Sequence, residues 1–161
     1  MGKYYKVNEI NQLMKEIQKQ TMDALTKQCG KDIFNAMKQY MLENIYEAYE
    51  PRVYQRTEKL LNSLTVSPVI RKGNIISIKV YIPNEIINDS SHEMWYDVKQ
   101  LGLSEGDNPT LSEVMEILER GLNKYREETH VVDDTYQYLM STNVIIKGLI
   151  NYLKSKGFNV I

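Results

Sequence analysis

The chain has 161 residues, with twenty Lys and Arg side chains against twenty-one Asp and Glu, for a formal net charge of −1. That length predicts one domain, residues 1–161, able to bury about two-thirds of its unfolded surface without staples. The near-balance of charge argues against nucleic-acid binding through a broad basic face. The single Cys29 excludes an internal disulfide framework and a cysteine-based zinc site. No apolar run reaches the roughly twenty residues that cross a bilayer, and the polar, lysine-bearing start does not read as a signal peptide. A soluble protein made in a reducing cytoplasm is the expectation.

In chain order, Val7, Ile10, Leu13, Met14, Ile17, Thr21 and Leu25 recur at helical spacing, with Lys15, Gln18, Lys19 and Asp23 opposite. Asn8 or Asn11 supplies the cap. Cys29-Gly30 reads as a break, after which Ile33, Phe34, Met37, Tyr40, Met41, Leu42, Ile45 and Ala48 form a second, broader helix face. Pro51 ends it, because its ring clashes with the carbonyl four residues back. Tyr40, Tyr46, Tyr49 and Tyr54 are read as core and boundary residues rather than as a cofactor stripe.

Thr57 is placed to cap a short helix through Leu60, Leu61 and Leu64. Two strands follow, Leu64 to Arg71 and Ile75 to Ile82, joined by Lys72-Gly73-Asn74. The second has Ile76, Ile78, Val80 and Ile82 on one face and Ser77, Lys79 and Tyr81 on the other. The isoleucine face is expected to meet a core shared with the second and last helices. Asn84 to Ser91 and Gly102 to Pro109 read as loops on either side of His92 to Asp97. Thr110 with Glu113 matches a capping box opening a helix through Leu111, Val114, Met115, Leu118 and Leu122. A short strand is expected at His130-Val131-Val132. Asp133 or Asp134 then caps a last helix burying Leu139, Val144, Ile145, Leu149, Tyr152 and Leu153. Gly157 suits the left-handed position past its end, and Phe158, Val160 and Ile161 read as a short edge strand. The fold class is α+β: long N-terminal helices, a central antiparallel sheet based on a β-hairpin, and a closing C-terminal helix.

Residues that carry chemistry are sparse. His92-Glu93 does not open a zincin helix, since position 96 is tyrosine. His130, Asp133 and Asp134 read as a loop histidine followed by capping carboxylates rather than a cation site. No nucleophile elbow, P-loop or dinucleotide fingerprint is present, and Cys29 lies at a helix boundary without a local signature. Neither catalysis, a cofactor nor a metal is expected.

Thr57, Leu60 and Ser63 reproduce the spacing T-x-x-L-x-x-S, just after Tyr54 and Arg56 and just before the hairpin. This resembles the tail-completion and head–tail joining (neck) proteins of long-tailed bacteriophages, where a long helix, a T-G-x-L-x-x-S turn and a hairpin follow in that order. Glu58 stands where that family usually has glycine, and residues 84–132 match no part of its pattern. The resemblance implies a structural virion protein at the head–tail junction or tail end, forming an oligomeric ring without cofactor or reaction. Its partners would be copies of itself and neighbouring connector or tail proteins, with no membrane and no sequence-specific nucleic acid. It would be located in the virion, and in the host cytoplasm during assembly. Two other readings share the fold class: a cytoplasmic protein-binding or regulatory module, and an enzyme of unfamiliar type built where His92 or His130 meets carboxylates.

Twelve tyrosines, one tryptophan and eight methionines accompany only two phenylalanines. Tyrosine, tryptophan and methionine are enriched where proteins meet. Tyr81, Trp95 and Tyr96 are therefore the expected subunit contacts.

Overall fold

The computed structural model describes residues 7–48, 58–85, 110–121 and 128–160. Pro51, Tyr54, Arg56, Thr57, His92, Trp95 and Tyr96, with their expected roles, lie outside the described residues.

One helical path runs from Val7 to Glu47. It comprises α1 (Val7–Ala24), a π-helical stretch (Leu25–Cys29), α2 (Gly30–Met41) and a second π-helical stretch (Leu42–Glu47). Ala24, Cys29, Gly30, Met41 and Leu42, at the junctions, all keep right-handed helical backbone. The break expected at Cys29-Gly30 is therefore absent, and Asn8 and Asn11 sit inside α1 rather than at its cap. The apolar pattern explains the π stretch. Buried Ala24 and Cys29 are five residues apart, a step that overshoots an α-turn and suits the wider π-turn.

Gly30 serves close packing rather than termination. A Cβ there would lie 2.7 Å from Ile78 Cδ1 and 3.2 Å from Val66 Cγ1, so the hairpin presses directly on the helix backbone. Beyond the helix, α3 (Lys59–Ser63) starts from Glu58, whose φ of 53° is left-handed, and it has no side-chain cap. The helix stops one residue before Leu64, which is extended.

The sheet is two short antiparallel ladders rather than two continuous strands. β1 (Thr65–Val66) pairs with β4 (Val80–Tyr81), and β2 (Ile70–Lys72) pairs with β3 (Ile75–Ser77). Lys72 pairs with Ile75, so the turn is Gly73-Asn74 alone, with Gly73 at φ 61° in the position a type II′ turn reserves for glycine. Between the ladders, three residues (Ser67, Pro68, Val69) face two (Ile78, Lys79). Pro68 has no N–H to donate and interrupts the pairing there. Ser67 bridges the gap, its N–H donating to Lys79 O (2.8 Å) and its Oγ accepting from Lys79 N (2.9 Å). Burial alternates along Ile75 to Ile82 as the period of two predicts, with Ile76, Ile78, Val80 and Ile82 inward.

α4 (Leu111–Arg120) opens on the expected capping box. Thr110 Oγ1 accepts from Glu113 N (3.3 Å) and Glu113 Oε2 accepts from Thr110 N (2.8 Å). The bond from Thr110 N, with a second that Glu113 Oε2 accepts from Thr110 Oγ1 (2.8 Å), holds the Glu113 carboxyl below its usual range. The end of the hairpin strand ties to this start, Leu111 N donating to Glu85 O and Ser112 Oγ to Asn84 Oδ1.

α5 (Val131–Thr142) and α6 (Val144–Ser155) replace the single last helix, split at Asn143 in left-handed backbone. His130-Val131-Val132 is helix start, not strand, and the cap position is His130 rather than Asp133 or Asp134. The first turn instead receives a cap from afar: Glu119 Oε1 accepts from Val132 N at 3.1 Å. α6 ends in a Schellman motif, with Phe158 N donating to Leu153 O and Gly157 N to Lys154 O, Gly157 being left-handed at φ 86°. Phe158 to Val160 form no strand.

The arm α5–α6 runs antiparallel to the long helix. Asp134 and Tyr138 lie beside Asn44 and Tyr40, and Ile145 lies beside Cys29. The core gathers on the C-terminal half of that helix, where Met37, Met41 and Ile45 meet Leu60, Leu61, Leu64, Ile82, Leu111, Met115, Leu118 and Val131. Leu139, Val144, Ile145, Leu149, Tyr152 and Leu153, expected to be buried, are only half-buried, because α6 covers the long helix on one side alone.

Candidate functional site

The turn after Glu58 is a built junction between helix and hairpin. Glu58 O accepts from Asn62 N (2.9 Å), Ser63 Oγ donates to Leu60 O (2.8 Å), and Thr65 Oγ1 donates to Ser63 O (2.7 Å). Leu60 and Leu61 are buried beneath it, and Leu61 N donates to Tyr46 Oη at 3.3 Å from the second π stretch. The Leu60 and Ser63 positions of the T-x-x-L-x-x-S spacing thus have structural roles: one anchors the turn in the core and the other closes it. Glu58 supplies a further point. Its backbone is left-handed at φ 53°, a conformation that glycine takes without cost.

Cys29 is fully buried, its Sγ donating to Ile145 O at 3.7 Å, and burial pushes the thiol above its usual range. His130 is exposed with Nε2 3.5 Å from Glu128 Oε2, while Asp134 accepts from Asn44 Nδ2 at 2.7 Å. His130, Asp133 and Asp134 therefore do not converge, and no group of metal-ligating side chains occurs among the described residues. Tyr40 meets Tyr138 edge-on at 6.3 Å between centroids, in the contact between the long helix and α5. No described helix is long and apolar enough to cross a membrane.

Apolar side chains left at the surface are the more informative feature. The outer face of the hairpin presents Ile75, 71% exposed, and Tyr81, 43% exposed, with Ile70 beside them across the ladder. Val132, Tyr136 and Met140 make an exposed stripe along α5. On α1, Ile10, Leu13 and Met14 are 46%, 47% and 52% exposed, although helical spacing in the sequence marks them as a core face. Their periodicity is real, but α6 and the hairpin reach only the C-terminal part of the long helix. Periodicity in the sequence does not show how far along α1 a covering helix reaches.

No curated protein and no solved structure matches the chain. The YomN family model matches residues 9–155, spanning the long helix, the hairpin and the α5–α6 arm, and its name is a phage-derived one. The chain belongs to the YomN family, which points to a phage origin.

Proposed function

We propose that this protein is a structural virion-assembly component at the phage head–tail junction or tail end, acting as one subunit of an oligomeric ring. It works by protein contact rather than catalysis, with copies of itself and adjoining connector or tail proteins as partners. Its places are the host cytoplasm during assembly and then the virion. The observation that carries this reading is the junction at Glu58 to Ser63. A long helix, a glycine-like left-handed residue, a buried leucine, a back-bonded serine and a hairpin follow one another in the order of the tail-completion and neck proteins. Membership of a family with a phage-derived name supports it independently.

Exposed Ile75 and Tyr81 on the outer hairpin face suit a surface covered by a neighbouring subunit, since aromatic and aliphatic side chains dominate the centres of such contacts. The test is disruption of the gene in the phage that encodes it. Heads and tails should accumulate unjoined or with defective ends, and purified wild-type virions should contain the protein. Infectious, morphologically normal particles from the disrupted phage, or wild-type virions lacking the protein, would refute the assignment.

A further inference from the structure

We propose that the outer face of the hairpin docks on the outward face of α5 of a second copy of this chain, so that copies join head to tail. The inference rests on the reading of the chain as a ring subunit, and it names the two faces that meet. The first face is basic as well as apolar. Residues paired across an antiparallel ladder share a face, so Lys72 lies beside Ile75, and alternation along the strand adds Lys79 and Tyr81. All four are exposed. From Lys59 to Asn84 the chain holds Lys59, Arg71, Lys72 and Lys79, and no Asp or Glu.

α5 carries the opposite sign. Val131 and Thr135 form its buried side, and helical spacing puts Asp133, Tyr136 and Met140 on the side away from them, with Val132 at the edge. These four are also exposed. From Glu128 to Ile146 the chain holds Glu128, Asp133 and Asp134, and no Lys or Arg. The Glu119 carboxylate is brought to the same end of the helix by the bond it accepts from Val132 N at 3.1 Å.

The faces match in length as well as in charge. From Ile75 to Lys79 the strand spans about 13 Å, and from Val132 to Met140 the helix spans about 12 Å. Within one chain the hairpin turns its inner face to the long helix at Gly30, and α5 turns Val131 and Thr135 inward, so each outer face is left for another molecule. Opposite charge and shared apolar character on two unlike faces of one chain are the requirement of a heterologous contact, which closes into a ring when its rotation allows. The isoleucine, tyrosines and methionine supply contact area, and the lysines and carboxylates steer and orient the approach.

Sedimentation velocity of the purified full-length protein tests it, with Ile75→Asp on the hairpin face and Tyr136→Lys on the α5 face. The wild type should associate, and the association should weaken several-fold as salt is raised from low to physiological strength. Each variant alone should be monomeric, because it sets a charge of the same sign against the face it meets. Both positions are exposed, so each variant should melt like dilute wild type. A one-to-one mixture of the two should associate again, since Tyr136→Lys copies keep an intact hairpin and Ile75→Asp copies keep an intact α5. A wild-type assembly that either variant leaves unchanged would overturn this contact and leave the ring reading standing, closed through other faces. Variants that stay monomeric when mixed, or an association indifferent to salt, would overturn the contact too. A monomeric wild type would overturn the contact and the ring together.

Discussion

A methyl group added at position 30 meets the hairpin before it meets solvent. In Gly30→Ala two effects oppose one another. Alanine in a helix interior gains about 1 kcal/mol over glycine. Against that, the new Cβ would sit 2.7 Å from Ile78 Cδ1, 3.2 Å from Val66 Cγ1 and 3.1 Å from Leu25 O. Inserting a methyl into a packed interface costs about 1–3 kcal/mol when neighbours must shift. The terminal methyl of Ile78 is the most mobile of the three obstacles, so the net loss should be small, about 0–2 kcal/mol. The informative measurement is the cycle with Ile78→Val, which deletes that methyl. On its own Ile78→Val should cost about 0.5–1.5 kcal/mol. In the Gly30→Ala background it should cost less by about 1 kcal/mol, or even stabilise. Urea unfolding of the four proteins, with equal slopes, supplies the numbers. Additivity within about 0.5 kcal/mol would show that Gly30 and Ile78 do not touch, and the account of Gly30 as a packing residue would fail.

Three other outcomes follow from the described contacts. Glu58→Gly should stabilise the fold by up to about 1 kcal/mol, because glycine enters left-handed backbone without the Cβ penalty; a loss of stability would mean that Glu58 is not left-handed in solution. Asn44→Ala removes two bonds at 2.7 Å, to Thr129 O and Asp134 Oδ2, and should cost about 1–3 kcal/mol in thermal unfolding; an unchanged melting curve would refute the docking of α5 on the long helix. Thr110→Ala should cost about 1 kcal/mol. Its partner Glu113 has a folded-state pKa below its unfolded value, so its contribution is present above the unfolded carboxyl pKa and lost as pH falls through the folded one. The stability gap between wild type and Glu113→Gln should accordingly close on acidification, and a gap that widened would reverse the sign of this argument.

Local signals in the sequence proved the most readable. The Thr110–Glu113 box, the glycine after α6 and the alternation from Ile75 to Ile82 each depend on residues a few positions apart, and the structure has all three. Signals that depend on distant neighbours were misread. Cys29-Gly30 looks like a helix stop, yet the glycine is there because Ile78 and Val66 arrive from far along the chain. Asp133 and Asp134 look like caps, but α5 is capped by Glu119 across the gap from α4. Asn143 follows Ser141 and Thr142 between apolar residues, and that short polar stretch reads as part of one helix although asparagine tolerates the left-handed backbone that splits it. Of the candidate interface, the outward placement of Tyr81 could be read from strand period alone, whereas Ile10, Leu13 and Met14 could not be told from a core face without knowing how far α6 extends.

The antiparallel embrace of the long helix by the α5–α6 arm also sets a schedule. Residues Val7 to Glu47 are synthesised well before their partners from Val131 onwards. At a synthesis rate of about 5–20 residues per second, roughly 4–17 s separate the emergence of Glu47 from that of Val131. Throughout that interval Met37, Met41 and Ile45 lack the α5 side of their packing. A chain released early would keep this apolar strip open and be recognised as unfinished by chaperones and proteases. Only a ribosome that has read through α5 and α6 yields a closed helix pair, so the fold itself separates a chain that carries this arm from one that stops short of it.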